Sequence, residues 1–120
     1  MTLVINEKLP NLNDYSKACR TNKYVGASMK KKYERIISGY IMQQLKGVSF
    51  KNKVKLSFRW YEQNKRRDID NISFSKKFIL DALVSNNIIK TDGWKGVVGF
   101  TDEFFIDKSG YRVEVDIEEV

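Results

Sequence analysis

The chain has 120 residues, of which 22 are Lys or Arg and 15 are Asp or Glu, giving a net charge of +7, and 42% of the residues are hydrophobic. This length predicts one domain over residues 1–120, and the composition excludes a disordered chain. The absence of histidine and the single cysteine exclude a histidine general base, a histidine-activated Ser or Cys nucleophile and a thiolate zinc site.

Membrane and export signals are missing from the sequence. No apolar run reaches the roughly 18 residues of a membrane span. The first residues have neither the basic start nor the long apolar centre of a signal peptide. We therefore expect a cytoplasmic protein with no membrane partner.

The amino-terminal part is predicted to form a strand and two helices. Thr2–Ile5 favours a short strand, and residues 14–20 favour a brief helix. Residues 21–26 are predicted to be a loop, after which Ser28 is expected to cap a longer helix. The apolar positions of that helix recur at helical spacing, and they are Tyr33, Ile36, Ile37, Tyr40, Ile41 and Leu45.

The rest of the chain alternates between strand and helix patterns. Strict alternation over Lys53–Trp60 predicts a half-buried strand, and Asn71–Ser85, without glycine or proline, predicts a helix. Val97–Ile106 is predicted to be a strand interrupted near Asp102, and residues 112–119 alternate as a further strand. This order predicts an α+β fold: a two-layer single domain in which helices cover a small mixed sheet.

Positive charge is concentrated in the first half of the chain. Between Tyr15 and Arg67 there are fifteen Lys or Arg and only two acids. This asymmetry favours a polyanionic partner such as nucleic acid. The candidate phosphate contacts are Lys30, Lys31, Lys32, Lys55, Arg59, Arg66 and Arg67. A solvated basic surface is the plainer alternative, in which Lys55 and Arg59 pair across the sheet with acids of the last strand.

The segment RRDIDN, residues 66–71, places two arginines beside two carboxylates. If the preceding strand continues to Asp70, Asp68 and Asp70 point the same way, and their repulsion favours a bound cation. Hard oxygen ligands favour Mg²⁺ or Mn²⁺. In the alternative reading, Asp70 or Asn71 is only a helix N-cap and the arginines form surface salt bridges.

Further charged residues follow this segment. Lys77 and Asp81 lie four residues apart on one face of the predicted helix, a spacing also typical of a simple ion pair. Asp92 lies in a Thr-Asp-Gly turn. No acid is followed two residues later by a lysine, so the [DE]-x-K element of restriction-type nucleases is missing. Carboxylate–metal chemistry on a phosphate is the catalytic class that remains.

The run DIDNISFSKKFILDAL, followed by IIKTD, resembles the core of the RusA family of Holliday junction resolvases, in the form found in Gram-positive bacteria and their phages. The family pattern is D-x-D-N, then a helix with K-x-x-x-D-A-L, then an aspartate. The residues that match are Asp68, Asp70, Asn71, Lys77, Asp81, Ala82, Leu83 and Asp92. The segment between Asn71 and Lys77 is longer than in the enterobacterial form, and the adjacent Lys76 gives a second candidate for the family lysine.

The resemblance implies a homodimeric, Mg²⁺-dependent endonuclease, with Mn²⁺ as the other candidate ion, that nicks two opposing strands of a four-way DNA junction in a bacterial or phage-infected cell. It implies that Asp68, Asp70 and Asp92 hold the metal. Lys77 is expected to contact the scissile phosphate, with Asp81 in support. DNA contacts are expected near these acids from Arg66, Arg67, Asn71 and Lys76.

Two other functions stay open at this point. The first is a basic nucleic-acid-binding module whose acids are structural. The second is a metal-dependent nuclease that acts on other branched DNA or on RNA.

Overall fold

The computed structural model describes residues 1–120 and confirms the α+β fold, in which helices cover one face of a mixed four-stranded sheet. The elements in chain order are β1 (Thr2–Ile5), α1 (Leu12–Thr21), α2 (Lys23–Gln44), β2 (Val54–Glu62), α3 (Ile69–Ser73), α4 (Lys76–Ser85), β3 (Val97–Ile106) and β4 (Arg112–Glu119). No helix has both the length and the apolar character needed to cross a bilayer.

The sheet has the strand order β1-β4-β2-β3. β4 runs antiparallel to β1 and β2, whereas β3 runs parallel to β2. A parallel neighbour needs a long crossover, and here α3 and α4 provide it. β3 therefore forms one edge of the sheet, with one side of its backbone unpaired.

Alternation in β2 and β4 builds the core. The inward residues of these two strands are buried as predicted, and they are Val54, Leu56, Phe58, Trp60, Val113, Val115 and Ile117. Ile37 and Ile41 of α2 and Ile79 and Leu83 of α4 pack against them. The helices thus cover the face of the sheet from which these side chains project.

The opposite face of the sheet carries charged side chains. Arg59 of β2 donates to Glu114, with 3.0 Å between Nε and Oε1, and also to Asp116. The cross-strand pairing expected for Arg59 in the plainer alternative is therefore present, and its role as a DNA contact stays a prediction. Lys55 projects from the same face and is exposed.

The predicted loop at residues 21–26 is wrong. α2 begins at Lys23, and its N-cap is Asn22, whose side-chain oxygen accepts the amides of Tyr24 and Val25 at 2.9 and 3.0 Å. Gly26 marks a close approach rather than a loop, because a Cβ there would lie 2.6 Å from Cys19 Sγ on α1. Ser28 lies inside the helix and does not cap it.

The predicted interruption of β3 near Asp102 is also wrong, since pairing with β2 continues through that residue. The Trp60 indole donates to Asp102 at 2.8 Å, and the Lys76 ammonium lies 2.7 Å from its other oxygen. With both oxygens satisfied, the carboxylate is tolerated beside the core.

Candidate active site

The acidic pair lies at the start of α3 and not on a strand. β2 ends at Glu62, so the strand does not continue to Asp70 and the shared strand face that depended on that continuation does not form. The predicted helix over 71–85 is divided into α3 and α4. The N-cap of α3 is Asp68 rather than Asp70 or Asn71. The Asp68 side chain makes no capping hydrogen bond.

Both acids of the pair are exposed. The Oδ1 atom of Asp70 accepts the amide of Asn71 at 2.9 Å, and neither Asp68 nor Asp70 enters an ion pair. Asn71 is half-buried beside them. Most of the oxygen lone pairs of this acidic pair therefore face solvent.

An open cleft of about 440 Å³ adjoins the acidic pair, where the ends of β2 and β3 meet α3. Its charged lining includes Lys65 and Arg67, and its apolar lining includes Ile69, Phe105 and Ile106. Three of these apolar side chains are exposed: 60% for Ile69, 39% for Phe105 and 46% for Ile106. The acids thus stand at the rim of a partly apolar surface at the sheet edge.

Lys77 joins the other two acids of the motif. Its ammonium lies 2.8 Å from Asp92 Oδ2 and 3.1 Å from Asp81 Oδ1. The hydrogen bond from Lys77 lowers the pKa of Asp92. The bond to Asp92, followed by the bond to Asp81, raises the pKa of Lys77. Both shifts favour the charged forms, and the Lys77 side chain stays 55% exposed, so it can reach a ligand.

Lys76 points to the interior instead. Its ammonium pairs with Asp102 and lies 4.7 Å from the centroid of the Phe100 ring and 5.2 Å from that of Phe58. The Lys76 side chain is 19% exposed. Of the two candidate lysines, Lys77 is the one beside Asp92, and the role of Lys76 in DNA contact stays a prediction.

The two groups of acids lie at opposite ends of β3. The cleft beside Asp68 and Asp70 is lined by residues 104–106, whereas the turn that holds Asp92 adjoins residues 97–100. At about 3.3 Å per residue, the centres of these strand segments are roughly 20 Å apart. Accordingly, no three acids or cysteines of one copy lie together in an arrangement that could hold a metal ion.

Neither arginine of the RRDIDN segment pairs with the aspartates. The Arg67 guanidinium donates to both oxygens of Glu62, at 2.8 and 2.7 Å, and to the carbonyl of Leu9 at 2.8 Å. Arg66 is exposed and its side chain enters no ion pair. Arg66 is therefore available to a ligand, whereas most of the guanidinium of Arg67 is engaged within the chain.

The three consecutive lysines lie on α2. Lys31 and Lys32 are exposed, whereas the Lys30 ammonium lies 3.4 Å from Asp81 Oδ2. Because α2 covers the helical face of the sheet, these lysines and Lys55 are on opposite sides of the molecule.

Sequence reasoning missed Glu62 and Asp102 as structural acids. Both stand at positions where the strand alternation points inward, and Glu62 continues the series Leu56, Phe58, Trp60. A charged residue at an inward position requires a partner, since an unpaired buried charge is costly. The alternation was therefore a usable signal for both.

A helical layer on a mixed sheet, with exposed paired carboxylates and a lysine–aspartate contact, defines a site suited to reactions at phosphodiesters. Residues 9–118 match the family model described as endodeoxyribonuclease RusA, and the chain belongs to the RusA family of endodeoxyribonucleases. The family consists of nucleases that act on Holliday junction DNA. No curated protein matches the chain.

Proposed function

We propose that this protein is a Mg²⁺-dependent endonuclease that resolves four-way DNA junctions by paired nicks in opposing strands, during DNA recombination and repair. The contact between Lys77 and Asp92 carries the proposal, because it places an exposed cation 2.8 Å from an acid of the same motif. An exposed ammonium at this position can donate to a phosphate oxygen as negative charge develops there.

The metal ion would be held by Asp68, Asp70 and Asp92. The donor chemistry fits, since carboxylate oxygens are the ligands that Mg²⁺ prefers and the first two side chains face solvent without cationic partners. When bound, such an ion supplies an activated water and neutralises charge on the phosphate. The separation of Asp92 from the other two acids means that one copy of the chain does not provide the complete set.

Lys77 and Asp81 would serve the reaction through position and charge. Asp81 lies one helical turn after Lys77, and its carboxylate, which is only 19% exposed, lies 3.1 Å from the ammonium. Lys77 in turn keeps Asp92 ionised and fixes its carboxylate. A phosphate that approaches this pair meets a hydrogen-bond donor that is already in position. Little reorganisation energy is therefore required during the reaction.

A homodimer built on the edge strand β3 would complete the acid set. β3 has an unpaired backbone edge and exposed apolar side chains, with Val98 at 48% and Phe100 at 41% exposure. Antiparallel pairing of two β3 strands about a two-fold axis would set the end of one strand beside the start of the other. Asp68 and Asp70 of one copy would then approach Asp92 of the second copy. The same axis would relate two sites, as paired nicks require.

The test of this proposal uses labelled mobile four-way junction, duplex, flap and single-stranded substrates, each with Mg²⁺, Mn²⁺ or EDTA. Paired nicks in the junction alone, dependent on the metal ion, are the expected result. Junction binding without cleavage under any metal would establish the non-catalytic binding module instead. Equal cleavage of flaps, forks or RNA would overturn the junction specificity.

A further inference from the structure

Trp94 is the most exposed large apolar side chain of the protein, with 91% of its surface open to solvent. The other tryptophan, Trp60, is 2% exposed and belongs to the core. Trp94 stands in the turn before β3, two residues after Asp92. The packing of a single chain gives no reason for a large aromatic residue at this position, so the reason is a contact with another molecule.

The turn holds Trp94 in a fixed position. The amide of Gly93 donates to Thr91 Oγ1 at 3.2 Å, and the carbonyl of Gly93 accepts the amide of Gly96 at 3.0 Å. Gly96 passes so close to Thr91 that a Cβ there would lie 2.1 Å from the Thr91 carbonyl oxygen. The Gly96 carbonyl accepts the amide of Val54 at 2.9 Å, which attaches the turn to β2. Trp94 is therefore presented by a braced turn.

The cleft at the other end of β3 has an apolar wall. Its volume is about 440 Å³, and Ile69, Phe105 and Ile106 in its wall are each at least 39% exposed. Covering such side chains with another apolar group removes them from water and is favourable. A cleft of this volume is large enough for one indole ring, since pockets of similar size hold whole small ligands.

The charges around these two features are complementary. Lys90 and Lys95 lie on either side of Trp94 in sequence, and both are exposed and enter no ion pair. Asp68 and Asp70 at the rim of the cleft are also exposed and without a cationic partner. Opposite charges on two surfaces favour their association and fix its register.

Two-fold symmetry brings the tryptophan and the cleft together twice. Trp94 precedes β3 by three residues, and the last three residues of β3 line the cleft. Antiparallel pairing of two β3 strands over their full length sets Val97 of one copy opposite Ile106 of the second copy. Three residues span at most about 10 Å, so Trp94 comes within reach of the cleft of the second copy.

We propose that Trp94 of each copy docks in the apolar cleft of a second copy of this chain and anchors the homodimer. The inference rests on the dimer that is part of the function proposed above, and it names the side chain that holds that dimer together. Because Asp92 is two residues before Trp94, docking draws Asp92 toward Asp68 and Asp70 of the second copy. Completion of the acid set then depends on the tryptophan.

The two tryptophans make the parental protein its own probe, because only Trp94 is open to solvent in a single copy. The emission maximum and acrylamide quenching are followed over a dilution series in EDTA without DNA, and sedimentation velocity gives the fraction of dimer. We expect the accessible emission to disappear as the dimer forms and to return on dilution. A dimer in which acrylamide still reaches Trp94 would overturn the inference, and so would a protein that stays monomeric at micromolar concentration.

Truncation variants locate the contact. Trp94→Ala, Ile69→Ala and their double variant are compared with Tyr24→Ala, the matched control, because Tyr24 is an aromatic residue on α2 that is 70% exposed. Trp94→Ala should raise the dimer dissociation constant about 10- to 100-fold, as for other aromatic anchors. Tyr24→Ala should leave it unchanged.

The double variant should weaken the dimer by less than the product of the two single effects, because both changes remove one contact. Independent effects of Trp94→Ala and Ile69→Ala would show that the tryptophan docks elsewhere and would overturn the assignment of the cleft. Urea unfolding verifies that each variant is folded. If Trp94→Ala does not fold, the quenching of the parental protein decides.

A DNA base is the other group on which an exposed indole can stack, and the same samples identify it. Trp94 would then stay accessible in the free dimer and be quenched only when a four-way junction is added. Trp94→Ala would lose junction affinity with an unchanged dimer dissociation constant, and this result would overturn the inference. Failure of the proposed function is recognised separately, because a parental dimer that buries Trp94 but nicks no junction in Mg²⁺ would refute the nuclease and leave the docking intact.

Discussion

Lys77 Nζ and Asp92 Oδ2 lie 2.8 Å apart, so the first turn of α4 is tied to the turn that follows the helix. The reversal at Asn87 makes this contact possible, because its φ of 58° lies in the left-handed region that asparagine tolerates. Ile88 and Ile89 are then buried against the core as the chain returns along α4. The two residues are fifteen positions apart in sequence, yet they form the centre of the candidate site.

The adjacent lysines should respond differently to the same substitution. Lys77→Met should lower junction cleavage on the order of 100-fold, because a donor to the developing phosphate charge is lost. Its free energy of unfolding should fall by less than about 1 kcal/mol, as for other exposed ion pairs. Lys76→Met should lower that free energy by about 2 kcal/mol, because Asp102 loses a largely buried partner.

Urea unfolding and single-turnover cleavage, measured on both variants, provide the comparison. Lys76→Met protein that remains folded should cleave at a rate close to the parental one. A large cleavage defect in Lys76→Met, combined with parental activity in Lys77→Met, would show that Lys76 is the catalytic lysine and would contradict the assignment to Lys77.

The pair between Lys77 and Asp92 should contribute a constant stability between about pH 5 and pH 9. The folded pKa of Asp92 is lowered, so its contribution is present above the unfolded value of about 3.9 and is lost as the pH falls through the folded one. The folded pKa of Lys77 is raised, so its contribution is present below about 10.4 and is lost as the pH rises through the folded one.

The measurement is the difference in free energy of unfolding between the parental protein and Lys77→Met, followed in urea from pH 3 to pH 10. The difference should be level in the middle range and should shrink below about pH 4. A difference that changed steadily between pH 5 and pH 9 would show that another group controls the pair.

The basic residues should divide into those that bind DNA and those that support the sheet. The Lys31→Gln/Lys32→Gln double variant should reduce the logarithmic salt slope of junction binding by about two units, because two exposed phosphate contacts are lost. Arg59→Met should leave that slope unchanged. It should lower the free energy of unfolding by about 1 kcal/mol, since Glu114 and Asp116 lose their partner.

The pKa of Asp116 is lowered chiefly by its hydrogen bond with Arg59. The contribution of this bond is therefore present above an unfolded pKa of about 3.9 and is lost as the pH falls through the lowered folded value. The destabilisation caused by Arg59→Met should accordingly diminish in acid. An equal fall in the logarithmic salt slope of junction binding in Arg59→Met and in Lys31→Gln/Lys32→Gln would contradict the division between DNA-binding and structural cations.

The proposed dimer predicts that a charge on the edge strand separates the copies. Val98→Lys should yield a monomer at micromolar concentration, because an inserted lysine blocks edge-to-edge pairing. Met42→Lys is the matched control, since Met42 is 65% exposed on α2 and lies away from β3. Sedimentation velocity gives the assembly state, and Mg²⁺-dependent cleavage should fall only in Val98→Lys. A parental protein that sediments as a monomer, with nicks made one at a time, would rule out this arrangement.

Short-range patterns in the sequence predicted much of the fold. Alternation identified the buried face of β2, because side chains on a strand project to opposite sides in turn. The same pattern did not show where the strand ends, since Glu62 is charged and yet is buried in its pair with Arg67. For that reason the pattern left open whether the strand continues to Asp70, whereas the structure ends it before Asp68.

Contacts between distant segments could not be obtained from such patterns. The proximity of Lys77 and Asp92 depends on the reversal at Asn87, and the anchoring of Arg67 depends on a carbonyl in the segment before α1. Gly26 illustrates the same limit. The glycine at this position suggested a loop, whereas the structure shows that glycine is needed because α1 lies too close for a Cβ atom.

The central claim, that exposed carboxylates at the start of α3 carry the cleavage reaction, is tested most directly by Asp70→Asn. Asparagine keeps the oxygen that accepts the Asn71 amide, so the fold should lose on the order of 1 kcal/mol at most. Single-turnover cleavage and gel-shift affinity should be measured on the same four-way junction. We expect cleavage to fall by orders of magnitude through the loss of an anionic metal ligand. Affinity should stay equal or increase, because a negative charge leaves the DNA-facing surface. Cleavage near the parental rate would contradict the account.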